Sequence, residues 1–283
     1  MCCLAASPDA LQLGALLLIG VGAGVLGGLL GIGGGLVMIP AMVLVFGDRV
    51  YGENSFHLFK LAALSTAVVL SIPAVRQHVL ARAIVPAFVK AIIPFGLLGA
   101  IAGVGLGRLF ADEHTVILRR TFGAFMLLAV AGNVWQRRRR ARSPEAIGPR
   151  SCPSPSRWGR IGAIVGLPAG IVSGLLGVGG GVWAVPSQHF GLGVRLPSAI
   201  ANSACMIVAL AAGAAGLQSV AIANLHDTQL PVWQGLWLAL WLSPGAVIGG
   251  SIGGRLTHTL PVDLLRNVFY ALLVVTGLRL MLG

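Results

Sequence analysis

Long apolar runs constrain this chain more than anything else in its sequence. Leu11 to Gly31, Ile84 to Gly107, Trp158 to Val178 and Trp233 to Gly254 each carry at most one charged side chain. About 20 such residues span the hydrocarbon core of a bilayer as a helix. Lipid offers the backbone no hydrogen-bond partner, so only helices or closed barrels can cross it. The period-2 alternation of a barrel strand is absent from these runs, which excludes the barrel. Charged residues make up 10% of the chain, against about 25% in a soluble domain. The fold class expected is therefore all-α, a polytopic helical membrane protein.

The formal net charge of +12 does not point to nucleic acid. The arginines gather in one hinge and at helix ends, as the positive-inside rule and anionic lipid headgroups require. No basic patch interleaved with aromatics occurs on a soluble module. The partners expected are the lipid bilayer and a small anionic substrate, with no nucleic acid and with a homo-oligomer left open. Cys2, Cys3, Cys152 and Cys205 form no metal-type pair, and no disulfide framework is implied. The N-terminus lacks the basic region and cleavage site of a signal peptide, so Leu11 onward reads as a retained helix.

The chain repeats itself. Residues 24–40 read GVLGGLLGIGGGLVMIP and residues 170–186 read GIVSGLLGVGGGVWAVP. Gly107-Arg108-Leu109 is matched by Gly254-Arg255-Leu256, Leu118-Arg119 by Leu265-Arg266, and Phe122 by Phe269. Two homologous halves are expected, at 1–135 and 158–283. The linker between them, 136–157, is rich in Arg, Pro and Ser. Its run Arg137 to Arg140 places it in the cytoplasm, with Trp135 and Trp158 as flanking interfacial anchors.

Each half opens on a glycine-interrupted segment, Leu11 to Phe46 and Trp158 to Leu192. Three plainer helices follow, over 58–75, 84–107 and 116–135 in the first half and over 197–215, 233–254 and 264–282 in the second. An irregular stretch, Gly47 to Phe56, precedes the first of these.

Consecutive glycines weaken a helix by about 1 kcal/mol each, and backbone freed in lipid costs more. Gly31, Gly33, Gly34 and Gly35, matched by Gly177, Gly179, Gly180 and Gly181, therefore mark a helix break enclosed by protein. The second piece of a broken helix presents free N–H groups and a positive dipole end, which suits an anion. Discontinuous helices at matching positions of two repeats are the transporter pattern. Close packing of small residues, for which Gly24/Gly28 and Gly170/Gly174 qualify, is the competing account. Gly22-Ala-Gly24-Val-Leu-Gly27 matches a dinucleotide fingerprint in letters only, because no strand precedes it and no βαβ unit surrounds it.

Two copies of an LLGxGGG…P segment, each followed by a helix with a small polar cluster and later a GRL turn, resemble the TauE/SafE family. The resemblance runs from Gly14 to Leu282. It implies a secondary transporter for sulfite, thiosulfate, sulfoacetate or similar organosulfonate or carboxylate anions in the cytoplasmic (inner) membrane, without a bound cofactor. The family's Thr-Ser pair after the glycine segment falls here on Ser65-Thr66 and on Asn202-Ser203.

Ser65, Thr66, Asn202 and Ser203 are neutral donors that hold anion oxygens without trapping them. A hydroxyl can instead bond the carbonyl one turn earlier. Lys60, one turn into its helix, is a candidate anion attractor, whereas Arg76, Arg82, Lys90 and Arg195 fit snorkelling or anchoring roles. Gln188 and His189 could contact substrate or make helix-end hydrogen bonds. Trp233, Trp237 and Trp241 form a stripe at helical spacing that suits lipid or a subunit contact.

An intramembrane enzyme would want a Ser/His dyad or paired aspartates in mid-membrane, and no such set is visible. A non-transporting scaffold or assembly factor remains the alternative, though it leaves the matched glycine breaks unexplained. Topology divides two ways. If each glycine segment crosses once, the repeats are parallel; if each dips in and returns, they are inverted. The inverted arrangement, with Arg195, Arg255 and Arg266 on the cytoplasmic side, is favoured by charge.

Overall fold

Helices follow wherever the apolar runs lie. The structure, a computed structural model, describes residues 10–46, 55–108, 158–223, 232–257 and 259, with scattered residues within 120–135 and 267–282. The first half contains α1 (Ala10–Leu30), α2 (Gly35–Val45), α3 (Ser55–Leu80) and α4 (Pro86–Arg108). In the second, α5 comprises Trp158–Ile161, a π-helical turn at Gly162–Gly166, and Leu167–Leu176. Then come α6 (Gly181–Pro186), a π-helical turn at Ser187–Gly191, α7 (Leu196–Ala223) and α8 (Val232–Leu256). Among the described residues, six helices are long and apolar enough to cross a membrane. The chain is a polytopic, all-helical membrane protein.

Two helices outrun the sequence-based expectation. α3 continues past Val75 to Leu80 and α7 past Ala215 to Ala223. Pro73 lies inside α3 and does not end it, since neighbouring helices can satisfy a carbonyl that proline frees. In α7 the polar Gln218 finds a partner in His57, so the helix proceeds through it. The expected third helix of each half is described only in part, as helical residues within 120–135 and 267–282. The linker at 136–157 and the stretch at 47–54 lie outside the described residues.

Two glycine seams knit the fold. Gly20, Gly24 and Gly28 of α1 lie against Leu242, Ala246 and Gly250 of α8 in turn. A side-chain carbon at Gly24 would stand 2.6 Å from the Ala246 carbonyl oxygen, and one at Gly28 would stand 2.8 Å from that of Gly250. Gly162, Gly166, Gly170 and Gly174 of α5 make the same approach to Ala91, Ile92, Gly96 and Ala100 of α4. The numbers of the touching residues rise together along both helices of each pair, so both seams are parallel. Without a hydrophobic force between helices in lipid, such backbone-to-backbone packing supplies the attraction. The small-residue packing account thus holds for Gly24/Gly28 and Gly170/Gly174.

α3 and α7 run antiparallel through the centre. His57 at the start of α3 meets Gln218 near the end of α7, while Val85, just beyond α3, meets Asn202 near the start of α7.

Candidate functional site

Both glycine segments are sharp reversals and not straight crossings. φ is positive at Gly31 (64°), Gly33 (83°) and Gly34 (56°), and again at Gly177 (76°), Gly179 (78°) and Gly180 (77°). L side chains avoid this left-handed region, at a cost of about 1–2 kcal/mol per residue. Gly35 and Gly181 begin the next helices with ordinary backbone. The chain then doubles back. A carbon on Gly34 would lie 3.3 Å from the carbonyl oxygen of Ala23, and one on Gly180 would strike the carbonyl of Ala169. The turns close alike, with Gly31 N–H donating to Gly27 (2.9 Å) and Gly177 N–H to Ser173 (2.9 Å).

These two reversals touch each other. A carbon on Gly35 would lie 2.5 Å from the carbonyl oxygen of Gly177, and one on Gly33 would lie 3.2 Å from that of Val178. A carbon on Gly181 would collide with the Gly31 carbonyl. Residues 31–40 and 177–182 are buried throughout. At the N-termini of α2 and α6, Gly34 and Gly180 supply no side-chain cap, so the turns' own backbone faces the junction.

The predicted polar residues are engaged unequally. Ser203 donates from Oγ to the Gly31 carbonyl at 2.7 Å, which ties α7 to the first reversal. Thr66 is fully buried, and its Oγ1 has no hydrogen-bond partner. Ser65 is half-buried. Asn202 is fully buried with both ends engaged. Its Oδ1 accepts from the Val85 N–H (2.8 Å) and its Nδ2 donates to Gln188 Oε1 (2.9 Å). Bonding to the carbonyl one turn earlier occurs elsewhere, at Ser219, Ser243 and Ser251.

Lys60 is 1% exposed. Its stem lies along the second reversal, where a carbon on Gly177 would be 3.0 Å from Cγ, and its Nζ reaches toward Gly107 of α4. Among the described residues it is the only buried Lys or Arg; Arg76, Arg82, Lys90 and Arg195 are exposed. The chain has 8 acidic residues, and every one lies outside the described residues. Taking an ammonium out of water is costly, by several kcal/mol, unless a partner offsets it.

His57, Gln218 and Ser173 are not singled out by the sequence. His57 is buried beside Gln218, with Nδ1 3.3 Å from the Gln218 Nε2 and its own Nε2 unpartnered. His57 lies one turn before Lys60, a spacing that was available as a signal. Ser173, also buried, has an unpartnered hydroxyl on the turn before the second reversal. His189, by contrast, makes the helix-end type of contact, with Nδ1 2.8 Å from the Val194 carbonyl. Of the tryptophan stripe, Trp233 is exposed while Trp237 and Trp241 pack partly on the core, their rings 5.8 Å apart.

Comparison with known proteins gives a consistent picture. The family of sulfite exporters TauE/SafE matches over residues 16–280. A protein named probable membrane transporter protein MamO, from Paramagnetospirillum magneticum, is 30% identical over 94% of this chain and 44% of its own length. Its namesake from Magnetospirillum gryphiswaldense is 30% identical over 96% of this chain and 45% of its own. The chain therefore spans less than half the length of these relatives. No solved structure matches.

Proposed function

Given that the chain belongs to the TauE/SafE sulfite exporter family, we propose that it is a secondary transporter carrying a small oxyanion across the cytoplasmic membrane. The substrate class is sulfite, thiosulfate, sulfoacetate or a similar organosulfonate or carboxylate. The observation that carries this reading is Lys60, a basic side chain 1% exposed and packed against the second glycine reversal. A cation in a low-dielectric interior stabilises an anion far more than the same charge does in water. The backbone N–H groups where α2 and α6 begin add dipoles of the same sign. Gly31, Gly33, Gly34, Gly35, Gly177, Gly179, Gly180 and Gly181 shape this junction, Ser203 bonds the Gly31 carbonyl there, and Thr66 adds a buried hydroxyl with no partner.

The same proposal takes the two halves as homologous and inverted. The feature that supports the inversion is that the corresponding helices α3 and α7 are antiparallel; the matching seams of α1 with α8 and of α5 with α4 support the homology of the halves. A pair of parallel repeats would set α3 and α7 in the same direction. In the inverted arrangement the linker, Val85 and Asn202 share the cytoplasmic side, and Lys60 lies toward the opposite one.

The decisive experiment is anion flux in proteoliposomes with sulfite, thiosulfate, sulfoacetate and plain carboxylates. Flux of at least one oxyanion above protein-free vesicles is expected, with a loss of about tenfold or more in Lys60→Gln, corresponding to about 1.4 kcal/mol or more. Absence of flux for the whole panel would leave the scaffold alternative standing. Topology is checked separately by a lone cysteine at Asp227 in an otherwise cysteine-free chain. Labelling by a membrane-impermeant thiol reagent on intact cells, with none at a control Cys152, is the expected result. Protection at 227 that disappears on permeabilisation would sink the inverted arrangement.

A further inference from the structure

The hydrogen bonds around Asn202 fix the orientation of a neighbouring side chain. The Val85 N–H can only donate, so Asn202 must turn Oδ1 toward it, as it does at 2.8 Å. That leaves Asn202 Nδ2 facing Gln188, and a donor there obliges Gln188 to present Oε1, which it does at 2.9 Å. The amide of Gln188 is thereby locked with Nε2 on the far side. Gln188 is 0% exposed, and its Nε2 has no hydrogen-bond partner. A buried amide donor left without an acceptor is destabilising. A carboxamide held in one orientation with both donors open is pre-organised for an acceptor.

We propose that Gln188 is a substrate-contact residue on the Val85 side of the junction, donating from Nε2 to an oxygen of the carried oxyanion, and that Asn202 is its positioning residue. This inference rests on the transport reading above and adds a second contact point to it. Lys60 and Gln188 lie toward opposite ends of the central pair: Lys60 follows His57, which meets Gln218, whereas Gln188 is bonded to Asn202. Along α7 the partners of His57 and Gln188, residues 218 and 202, are about 24 Å apart at 1.5 Å per residue, and Lys60 stands one turn inward of His57. The chemistry differs as well. An ammonium attracts the anion, while a neutral carboxamide contacts its oxygens with less electrostatic retention and so favours release.

The test is sulfite uptake by proteoliposomes, read as KM and maximal rate. Gln188→Glu keeps an acceptor for Asn202 Nδ2 but replaces the free donors with acceptors. It should raise KM by about tenfold or more, the size of one lost hydrogen bond to a charged group, while the maximal rate falls less. Gln188→Met, similar in length but with no donor, should raise KM in the same direction, and it serves if the Glu variant fails to insert. Asn202→Asp keeps the acceptor for Val85 but draws Gln188 Nε2 onto the new carboxylate. Its effect on KM should largely vanish in a Gln188→Met background, a non-additivity expected only of coupled residues. An unchanged KM with a reduced maximal rate in both Gln188 variants would overturn the proposal and leave Gln188 a structural partner of Asn202. Because wild-type flux is measured in the same vesicles, failure of the transport reading shows there first and separately.

Discussion

Glycines at 20, 24 and 28 and glycines at 31, 33 and 34 belong to one stretch of sequence, yet they are needed for different reasons. The first group lies in a regular helix with ordinary dihedrals and is required because another backbone occupies the space of a side chain. The second group is required because its dihedrals are left-handed, and several of its members also face crowded surroundings. The second half repeats the contrast, with Gly162, Gly166, Gly170 and Gly174 in a seam and Gly177, Gly179 and Gly180 in a turn. A glycine-rich motif therefore carries two messages at once: how close two helices come and where the chain reverses. The two accounts that compete on sequence alone, close packing and a helix break, each hold for a different part of the same run.

The largest effect is expected where both requirements coincide. Gly180→Val combines a φ of 77° with a collision at Ala169, and Gly34→Val combines a φ of 56° with a carbon 2.7 Å from Leu70 Cδ2. Either change should abolish oxyanion flux while the protein still reaches the membrane, as judged by its yield after membrane extraction. Full flux in both would mean that the reversals do not shape the route.

Next comes the seam. Gly24→Ala puts a methyl 2.6 Å from one α8 backbone atom and 2.8 Å from another, so α1 and α8 must separate. Overpacking of this kind costs about 1–3 kcal/mol. A lower melting temperature in detergent is expected, and an unchanged one would show that the seam can give.

The sharpest test of the contrast is a reversal of rank. At Gly179 φ is 78°, and a side-chain carbon added there would stand 3.3 Å from its nearest neighbour. Asparagine should be tolerated better than alanine at this position because it visits the left-handed region more readily. At Gly24 alanine should be tolerated better than asparagine, since only bulk matters there. Melting temperatures of the four variants decide it, and the same order at both positions would erase the distinction between seam and turn.

The smallest effects concern hydroxyls. Ser203→Ala removes the bond to Gly31 across the junction and should cost about 1 kcal/mol. Ser251→Ala removes only a bond to the carbonyl one turn back and should stay within about 0.5 kcal/mol of the parent. Equal shifts in melting temperature would mean that the Ser203 bond adds nothing to the reversal.

Much of the site was visible in the sequence, though not its wiring. The glycine turns could be located to the residue because left-handed backbone and close approach both select glycine locally. Asn202 stood out as a polar residue in an apolar helix, but its partners did not, since Val85 is 117 positions away and Gln188 is 14. Gln188 could be placed after the second reversal, yet nothing in its neighbours along the chain tells which end of its amide is free. Lys60 drew notice as a cation near a helix start. Its burial follows from α5 and α4 closing over it, with Gly177 and Gly107 as the contact points.

The sequence by itself determined that this chain is helical and membrane-spanning, and where its helices break. Both follow from local physics: a peptide group in lipid must be bonded within its own helix, and a left-handed turn excludes side chains. Only the tertiary structure decided that the two reversals meet, that α3 and α7 oppose each other, and that the donors of Gln188 are left open. Those outcomes depend on hydrogen-bond partners and backbone contacts contributed by remote segments, and packing of separate helices, not residue preference, brings such segments together.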